Sequence, residues 1–224
     1  MQFLSKHLAR LNSQQLQAVL AHPSGALQIL AGPGTGKTRV MALRATKIII
    51  QDGITPESIL IVTFGRHPAQ ELCTRLKGLI GPGLTDNLRL GTIHTTCFKY
   101  IKAYKVPNTS IWGDGMCQHN IRHIARCHVS GEALNQSLVS KLQNAIAQMK
   151  VYAGTRRSLP ELIYRSLKPG IDYDIFVRTM RDHNTTMRNS NALDFDDLVN
   201  MFLELVQKKP SLVSHIRHIL VDEL

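Results

Sequence analysis

A glycine-rich segment near the N-terminus carries the residues best suited to bind a phosphorylated ligand. It runs Leu30-Ala31-Gly32-Pro33-Gly34-Thr35-Gly36-Lys37-Thr38. Its glycines let backbone N–H groups surround phosphate oxygens, Lys37 supplies a positive charge to the β- and γ-phosphates, and the Thr38 hydroxyl can bind Mg²⁺. Ala31 replaces the first glycine of the pattern G-x-x-x-x-G-K-[ST], while Gly32 and Gly34 keep the turn open. The segment predicts a phosphate-binding loop; the alternative is a glycine-rich turn without a ligand.

Two adjacent acids at the other end of the chain form a second candidate group. Asp222 and Glu223 follow an apolar run at residues 219–221. In proteins with a phosphate-binding loop, the acid that holds magnesium lies at the carboxyl end of a neighbouring strand. Asp222 would therefore hold Mg²⁺ through water, and Glu223 would polarise the attacking water. The alternative is that these acids form a solvated chain terminus.

The elements that must position these residues follow an alternating pattern. Strands are predicted at residues 26–30, 59–64, 88–93 and 218–222. Helices are predicted over 38–51 and 68–79, where Pro68 suits a first turn and Gly81-Pro82 marks the end. Alternation of strands and helices favours an α/β fold with a parallel sheet covered on both faces. The phosphate loop would then join the first strand to the first helix.

The middle of the chain has a different pattern. Residues 101–190 are predicted to be helical, with amphipathic spacing at 121–125 and 138–149. Chain-breaking residues interrupt this region at Pro107, Gly131, Gly154, Pro160 and Pro169-Gly170. We interpret residues 101–190 as a helical insertion into a nucleotide-binding domain made of residues 1–100 and 191–224.

A group of sulfur and imidazole side chains in this region resembles a metal site in composition. Its members are Cys117, His119, His123, Cys127 and His128. On a helix, His119, His123 and Cys127 lie at i, i+4 and i+8, and a separation of eight residues spans roughly 12 Å. Only an i, i+4 pair can share one ion, so a zinc site is the less favoured interpretation. We favour a helix whose polar and thiol positions face partly inward.

Composition limits the class of protein. The 224-residue chain is 43% hydrophobic, enough to bury a substantial core. We find neither the apolar run of a signal peptide nor one that would span a bilayer, and we interpret the four cysteines as reduced thiols. These features predict an intracellular protein, nuclear if the source is eukaryotic and cytoplasmic otherwise.

The charge is unevenly distributed. The net charge is +11; residues 1–100 and 101–190 each carry +7, and residues 191–224 carry −3. A nucleic-acid phosphate backbone would explain such a basic excess through counterion release, which makes binding depend strongly on salt. The alternative is a generically basic, solvated surface.

The motifs, taken in order, resemble those of the UvrD/Rep/PcrA-type superfamily 1 DNA helicases. The family's Q motif, L-N-x-x-Q-x-x-A-V, is matched by Leu11-Asn12-Ser13-Gln14-Gln15-Leu16-Gln17-Ala18-Val19. The resemblance implies that Gln15 reads the adenine edge, and an amide can both donate to and accept from adenine. The phosphate loop with Arg39-Val40 is similar to the family's A-G-x-G-[ST]-G-K-T-R-V, which places Arg39 by the adenine, where a guanidinium can stack.

Two further segments resemble family motifs that contact single-stranded DNA. V-T-F-T-N-K-A-A-x-E-M is matched imperfectly by Val62-Thr63-Phe64-Gly65-Arg66-His67-Pro68-Ala69-Gln70-Glu71-Leu72. G-T-F-H-S-x-C is matched by Gly91-Thr92-Ile93-His94-Thr95-Thr96-Cys97. The resemblance assigns DNA contacts to Phe64, Arg66 and His94. Because the first motif differs at residues 65–68, the DNA contact there is expected to be altered, and His94 has the alternative of a structural, hydrogen-bonded histidine.

A last motif resembles the segment that re-enters the first motor domain in the family. The pattern M-D-F-D-D-L-I is matched closely by Ala192-Leu193-Asp194-Phe195-Asp196-Asp197-Leu198-Val199. Negative charge is favourable at the N-terminus of a helix, so we interpret the acids of this segment as a structural cap of the helix that follows.

The resemblance covers the whole chain but only the front of the family's pattern. It implies a RecA-like P-loop NTPase parallel sheet with an inserted helical subdomain, truncated before the second motor domain. It further implies the N-terminal, ATP- and Mg²⁺-binding portion of an ATP-dependent 3′→5′ DNA helicase or translocase acting on single-stranded DNA. Pro33 and Thr35 make the loop similar to that of the eukaryotic anti-recombinase branch of the family.

The isolated chain is expected to be a poor catalyst. In the family, arginines that stabilise the transferring phosphoryl group lie in later motifs, and such groups are worth about 10³–10⁵ in rate. We therefore expect weak ATP binding and very slow hydrolysis, together with an unpaired sheet edge where the family's next strand would lie. The alternative function is a non-catalytic chain that binds nucleotide or single-stranded DNA.

Overall fold

The computed structural model describes residues 2–104, 109–128, 134–153, 164–165 and 171–222. In chain order its elements are α1 (Gln2–Leu8), α2 (Ser13–Leu20), α3 (Lys37–Ile50), β1 (Ile59–Thr63), α4 (Arg66–Ile80), α5 (Pro82–Asp86), β2 (Arg89–Thr92), α6 (Ile93–Ala103), β3 (Ser110–Ile111), α7 (Asp114–His128), α8 (Gln136–Ala153), α9 (Tyr173–Asn189), β4 (Ala192–Leu193), α10 (Phe195–Lys208) and β5 (His218–Val221). No helix in the part of the chain that the structure describes is long and apolar enough to cross a lipid bilayer.

The chain divides into two compact units. The first, here called the sheet unit, consists of Met1–Thr96 and Lys209–Leu224; the second, the helical unit, is Cys97–Lys208. The structure thus groups residues 191–208 with the helical unit, whereas the sequence motif assigned them to the nucleotide-binding domain. The assignment of functional domains stays a prediction.

A three-stranded parallel sheet forms the centre of the sheet unit. Its strand order is β2-β1-β5, with Val62 of β1 opposite both Gly91 and Val221. The predicted strands at 59–64, 88–93 and 218–222 are confirmed to within one residue at each end. The helices predicted over 38–51 and 68–79 are confirmed to within two residues at each end. The mixed α/β class with a parallel sheet follows from this alternation.

The predicted strand at residues 26–30 is wrong. Within the described residues this segment pairs with no strand, and all five of its side chains are exposed, with Leu30 85% exposed. Residues 23–31 and β5 line a common groove of about 790 Å³, so the two backbones do not pair there. An apolar run indicates a tendency to be buried, but a strand also needs a neighbour that takes its N–H and C=O groups.

Two apolar clusters fix α3 within the sheet unit. The first packs α3 and α4 against the sheet through side chains such as Ile48, Ile61 and Leu72, which are fully buried. The second joins α1, α2 and α3 through Leu4, Val19, Val40 and Leu43. Each fully buried side chain of this kind contributes about 1.5–3 kcal/mol relative to exposure. These clusters hold the start of α3, where the phosphate loop ends.

The helical unit has its own core. Helices α7, α8 and α9 pack around Ile121, Leu142 and Phe176, and α10 packs through Leu198 against α6. Two short strands, β3 and β4, pair in parallel beside them. Helix is confirmed at 121–125 and 138–149, while the predicted breaks at Pro107, Gly131, Gly154, Pro160 and Pro169-Gly170 lie outside the described residues.

The acids at the start of α10 cap that helix, as the sequence predicts. Asp194 Oδ1 accepts a hydrogen bond from the Asp197 backbone N–H at 2.9 Å, and Asp197 Oδ2 accepts from the Asp194 N–H at 3.3 Å. Lys150 of α8 donates to Asp194 at 2.5 Å and to Asp197 at 2.7 Å. Burial alone would lower the pKa of Lys150, but its bonds to the two carboxylates outweigh burial and raise it. A charged lysine therefore ties α8 to the start of α10.

Candidate nucleotide-binding site

The glycine-rich loop leads directly into α3, whose first residue is Lys37. Gly36 precedes the helix at φ 84° and Gly34 has φ 75°, a left-handed conformation that glycine adopts at no steric cost. The unpaired N–H groups and the positive end of the dipole of α3 therefore face the loop. This is the local arrangement that binds phosphate groups.

Hydrogen bonds close the loop on itself. The Lys37 ammonium donates to the carbonyl oxygens of Ala31 and Gly32, each at 3.0 Å. The Thr35 hydroxyl also donates to Gly32 O, at 2.7 Å. Residues 31–35 are exposed, so a phosphate can reach the ammonium by exchanging with these carbonyls.

The fold brings the two predicted magnesium ligands together from opposite ends of the chain. The Thr38 hydroxyl donates a long hydrogen bond, 3.4 Å, to Asp222 Oδ2. Asp222 is held there because its backbone N–H donates to Val62 O at 2.9 Å, which extends the β1–β5 pairing by one step. A hydroxyl and a carboxylate are the oxygen ligands that Mg²⁺ uses beside phosphates and water, so this pair fits the ion. Glu223 lies outside the described residues, and its role stays a prediction.

Gln15 of the Q motif contacts the phosphate loop directly. Its backbone N–H donates to Asn12 Oδ1 at 2.8 Å, and its Oε1 accepts from the Asn12 N–H at 3.1 Å, a capping box at the start of α2. Its Nε2 donates to Thr35 O at 2.9 Å. Arg39 lies half-buried in the first turn of α3. The structure thus joins the Q motif to the loop, and adenine contact by Gln15 and Arg39 stays a prediction.

Sequence reasoning missed Arg44, which attaches α2 to α3. Arg44 is 8% exposed, and its guanidinium donates to the carbonyl oxygens of Ala18 and Ala21 at 2.9 Å and of His22 at 3.3 Å. Burial lowers the pKa of Arg44, and the charge of Asp52 partly offsets this, but an arginine stays charged. The only signal in the sequence was a basic residue within the apolar face of a predicted helix.

We expect Arg44→Met to destabilise the docking of α2. The substitution keeps the buried stem but leaves the last carbonyls of α2 without their donor, at a cost of about 2–3 kcal/mol. Hydrogen exchange of the α2 amides should accelerate by at least about tenfold. Arg75→Met is the matched control, because Arg75 makes an exposed pair with Glu71. Equal exchange in the two variants would show that Arg44 does not hold α2.

The predicted DNA-contact residues lie beyond the carboxyl ends of β1 and β2, as Asp222 lies beyond that of β5. Phe64 directly follows Thr63, and His94 lies two residues after Thr92; Thr63 and Thr92 are opposite each other in the β1–β2 pairing. Phe64 is 73% exposed, Arg66 at the start of α4 is exposed, and His94 is half-buried. In parallel sheets, ligands bind outside the carboxyl ends of the strands, so this end of the sheet is the expected position for a binding surface.

The loop, the lysine that begins α3 and the acid after β5 define the class of P-loop nucleotide-binding proteins. Residues 11–224 match the UvrD/REP helicase N-terminal domain. The chain therefore belongs to the UvrD/REP helicase family, of which it carries the N-terminal domain.

Three relatives illustrate the similarity. The chain is 27% identical to the ATP-dependent DNA helicase srs2 of Schizosaccharomyces pombe, over 100% of this chain and 27% of that protein. It is 29% identical to SRS2 of Saccharomyces cerevisiae, over 96% of this chain and 20% of the relative. It is 27% identical to the ATP-dependent DNA helicase UvrD1 of Mycobacterium leprae, over 95% of this chain and 28% of that protein. The chain thus spans about a quarter of the length of the curated relatives that it matches.

Proposed function

We propose that this chain is the N-terminal ATP-binding portion of an ATP-dependent 3′→5′ DNA helicase or translocase that acts on single-stranded DNA. The observation that carries the proposal is the approach of Thr38 at the start of α3 to Asp222 at the end of β5, beside Lys37. In P-loop NTPases, Mg²⁺ is held by a Ser or Thr of the phosphate loop and an Asp after a neighbouring strand, and Thr38 and Asp222 are residues of these types. The names of the relatives, all ATP-dependent DNA helicases, support the same assignment.

Each predicted residue has a role in this proposal. Lys37 neutralises the β- and γ-phosphates, while Thr38 and Asp222 hold Mg²⁺, which would stabilise charge on the transferring phosphoryl group. Gln15 and Arg39 contact the adenine, and Glu223 orients the attacking water. Residues 1–100 and 191–224 would form the nucleotide-binding domain, with residues 101–190 inserted.

Single-stranded DNA is the proposed substrate because Phe64 and Arg66, beyond the carboxyl end of β1, are exposed. Phe64 offers an aromatic face on which a base can stack, and base–aromatic stacking is worth about 1–3 kcal/mol. Arg66 adds a positive charge two residues further on. The net charge of +11 supports binding to a phosphate backbone.

The test measures binding of Mg²⁺-ATP and of single-stranded DNA by the 224-residue chain, with single-turnover ATP hydrolysis as the third readout. We expect weak ATP binding, salt-dependent DNA binding that Phe64→Ala reduces about tenfold, and very slow hydrolysis. Glu223→Gln tests the catalytic acid, and Glu204→Gln, in an exposed pair with Lys208, is the matched control.

The outcomes separate the alternatives. DNA-stimulated turnover that Glu223→Gln abolishes and Glu204→Gln retains would support the helicase assignment and overturn the expected inactivity of the isolated chain. ATP binding without any DNA binding would favour a nucleotide-binding chain of another kind. Failure to bind ATP would overturn the proposal.

A further inference from the structure

A buried group of metal-binding side chains lies within the helical unit. Cys117 of α7, His183 of α9 and Asp194 before α10 place their ligand atoms within 4.8 Å of one another. Cys117 is buried, and His183 is 1% exposed. Among the described residues, no other three His, Cys, Asp or Glu side chains converge in this way.

The three side chains have the ligand chemistry of zinc. Thiolate sulfur, imidazole nitrogen and carboxylate oxygen bind Zn²⁺ at about 2.0–2.3 Å, which places the donors of a tetrahedral site roughly 3–4 Å apart. The separations in the structure lie within 4.8 Å, so about 1 Å of side-chain adjustment would close the site. Mg²⁺ and Ca²⁺ prefer oxygen ligands, so the sulfur and nitrogen donors select against them.

His183 is oriented as a metal ligand would be. Its Nδ1 lies 2.8 Å from the side-chain amide nitrogen Nδ2 of Asn120, one turn along α7 from Cys117, so Nε2 is the ring nitrogen that this hydrogen bond leaves to an ion. The side-chain oxygen and nitrogen of an amide can be exchanged in assignment. If Oδ1 of Asn120 faces His183, it accepts a hydrogen bond from Nδ1–H, and the lone pair of His183 then lies on Nε2, where an ion can bind. Such a hydrogen bond to the second imidazole nitrogen is typical of zinc-binding histidines.

The surrounding charge favours a cation. A cavity of about 150 Å³ beside these ligands is also lined by Asp114 and Asp196. The carboxylates around it outnumber the ammonium of Lys150, which binds Asp194 at 2.5 Å. Each carboxylate oxygen has two lone pairs, so Asp194 can bind an ion without losing Lys150. The cavity is large enough to hold a water molecule as a fourth ligand.

We propose that Cys117, His183 and Asp194 bind a zinc ion, with a water molecule in the fourth position. The ion joins α7, α9 and the turn before α10, three segments that are distant in sequence. This site shares only Cys117 with the cluster of cysteines and histidines along α7. In that cluster, His128 pairs with Asp182 at 3.0 Å and Cys127 is exposed.

The test is a titration of the tag-free 224-residue chain with Co²⁺, followed by displacement with Zn²⁺. Tetrahedral cobalt reports a thiolate ligand through a sulfur-to-metal charge-transfer band. We expect one equivalent to bind and the band to disappear in Cys117→Ser, with zinc affinity at least about 100-fold lower. Cys127→Ser, on the same helix, is the matched control and should keep the band.

Further readouts guard against variants that fail to fold. The fluorescence of the single tryptophan, Trp112, checks the helical unit, because the Trp112 N–H donates to Leu193 O at 2.9 Å. X-ray absorption at the zinc edge of the unmodified chain should show one sulfur among nitrogen and oxygen ligands. A cobalt spectrum without the thiolate band, or a band that Cys127→Ser removes and Cys117→Ser keeps, would overturn the proposal.

Discussion

Replacing Lys37 by alanine is expected to lower the affinity for Mg²⁺-ATP about 100-fold. The ammonium is the positive charge at the loop, and hydrogen bonds to charged groups are worth about 1.5–3 kcal/mol each, where 1.4 kcal/mol is tenfold. The carbonyls of Ala31 and Gly32, its present partners, belong to exposed residues and can bind water instead. Equilibrium titration with a fluorescent ATP analogue would measure the change.

Lys77→Ala is the control for this loss of charge. Lys77 is also in the sheet unit and makes an exposed pair with Asp86, so nucleotide affinity should be unchanged. Binding of single-stranded DNA should be partly retained in Lys37→Ala, with the same salt dependence. Unchanged nucleotide affinity in Lys37→Ala would show that the glycine-rich segment is not the phosphate-binding loop.

Replacing Lys150 by methionine is expected to destabilise the helical unit by about 3–5 kcal/mol. The substitution keeps the length of the side chain but leaves the largely buried carboxylates of Asp194 and Asp197 without their cation, and breaking a buried ion pair in this way carries that cost. Urea unfolding of the metal-free chain, with a chelator present and followed by the fluorescence of Trp112, would measure it. Lys141→Met, at an exposed position of the same helix, should change stability by less than about 0.5 kcal/mol.

The pH dependence of this difference identifies its electrostatic origin. Burial alone would raise the pKa of Asp194, but hydrogen bonds from Lys150 and from the Asp197 backbone outweigh it and lower the pKa. The contribution of Asp194 is therefore present above its unfolded pKa and lost as the pH falls through the lower folded value. The pKa of Lys150 is raised, so its contribution is lost only as the pH rises through the folded value.

Burial raises the pKa of Asp197, so that carboxylate protonates first as the pH falls. The stability difference between the two proteins should therefore be largest near neutral pH, shrink as the pH falls through the protonation of Asp197 and then Asp194, and shrink again as Lys150 loses its proton at high pH. Adding Asp194→Asn and Asp197→Asn to Lys150→Met should recover part of the loss. A difference that stays constant down to pH 2 would assign it to packing instead of charge.

The features that the sequence predicted are those with local signals. The phosphate loop, the helix that follows it and the cap at Asp194 depend on residues within a few positions of one another. Strands β1, β2 and β5 are apolar runs that also pair with neighbouring strands in the sheet. Residues 26–30 have the same composition, but pairing depends on a neighbour elsewhere in the chain, which an apolar run does not specify.

The contacts that the sequence did not predict join distant segments. Arg44 reaches the last carbonyls of α2, more than twenty residues earlier, and His183 lies 63 residues from its partner Asn120. The cluster along α7 drew attention to Cys117, but its neighbours in the fold are His183 and Asp194. A burial pattern indicates that such side chains face inward without indicating which of them meet.

The position of Gln15 has a thermodynamic consequence for base recognition. Its side-chain oxygen and nitrogen are both engaged by the protein, in the cap of α2 and with Thr35 O. An amide has two N–H donors and two acceptor lone pairs, so a base can bind Gln15 while the hydrogen bonds to Asn12 and Thr35 persist. Because these hydrogen bonds already fix the Gln15 side chain, a base that binds it would immobilise little further side-chain freedom, and the entropic cost of recognition at this position should be low.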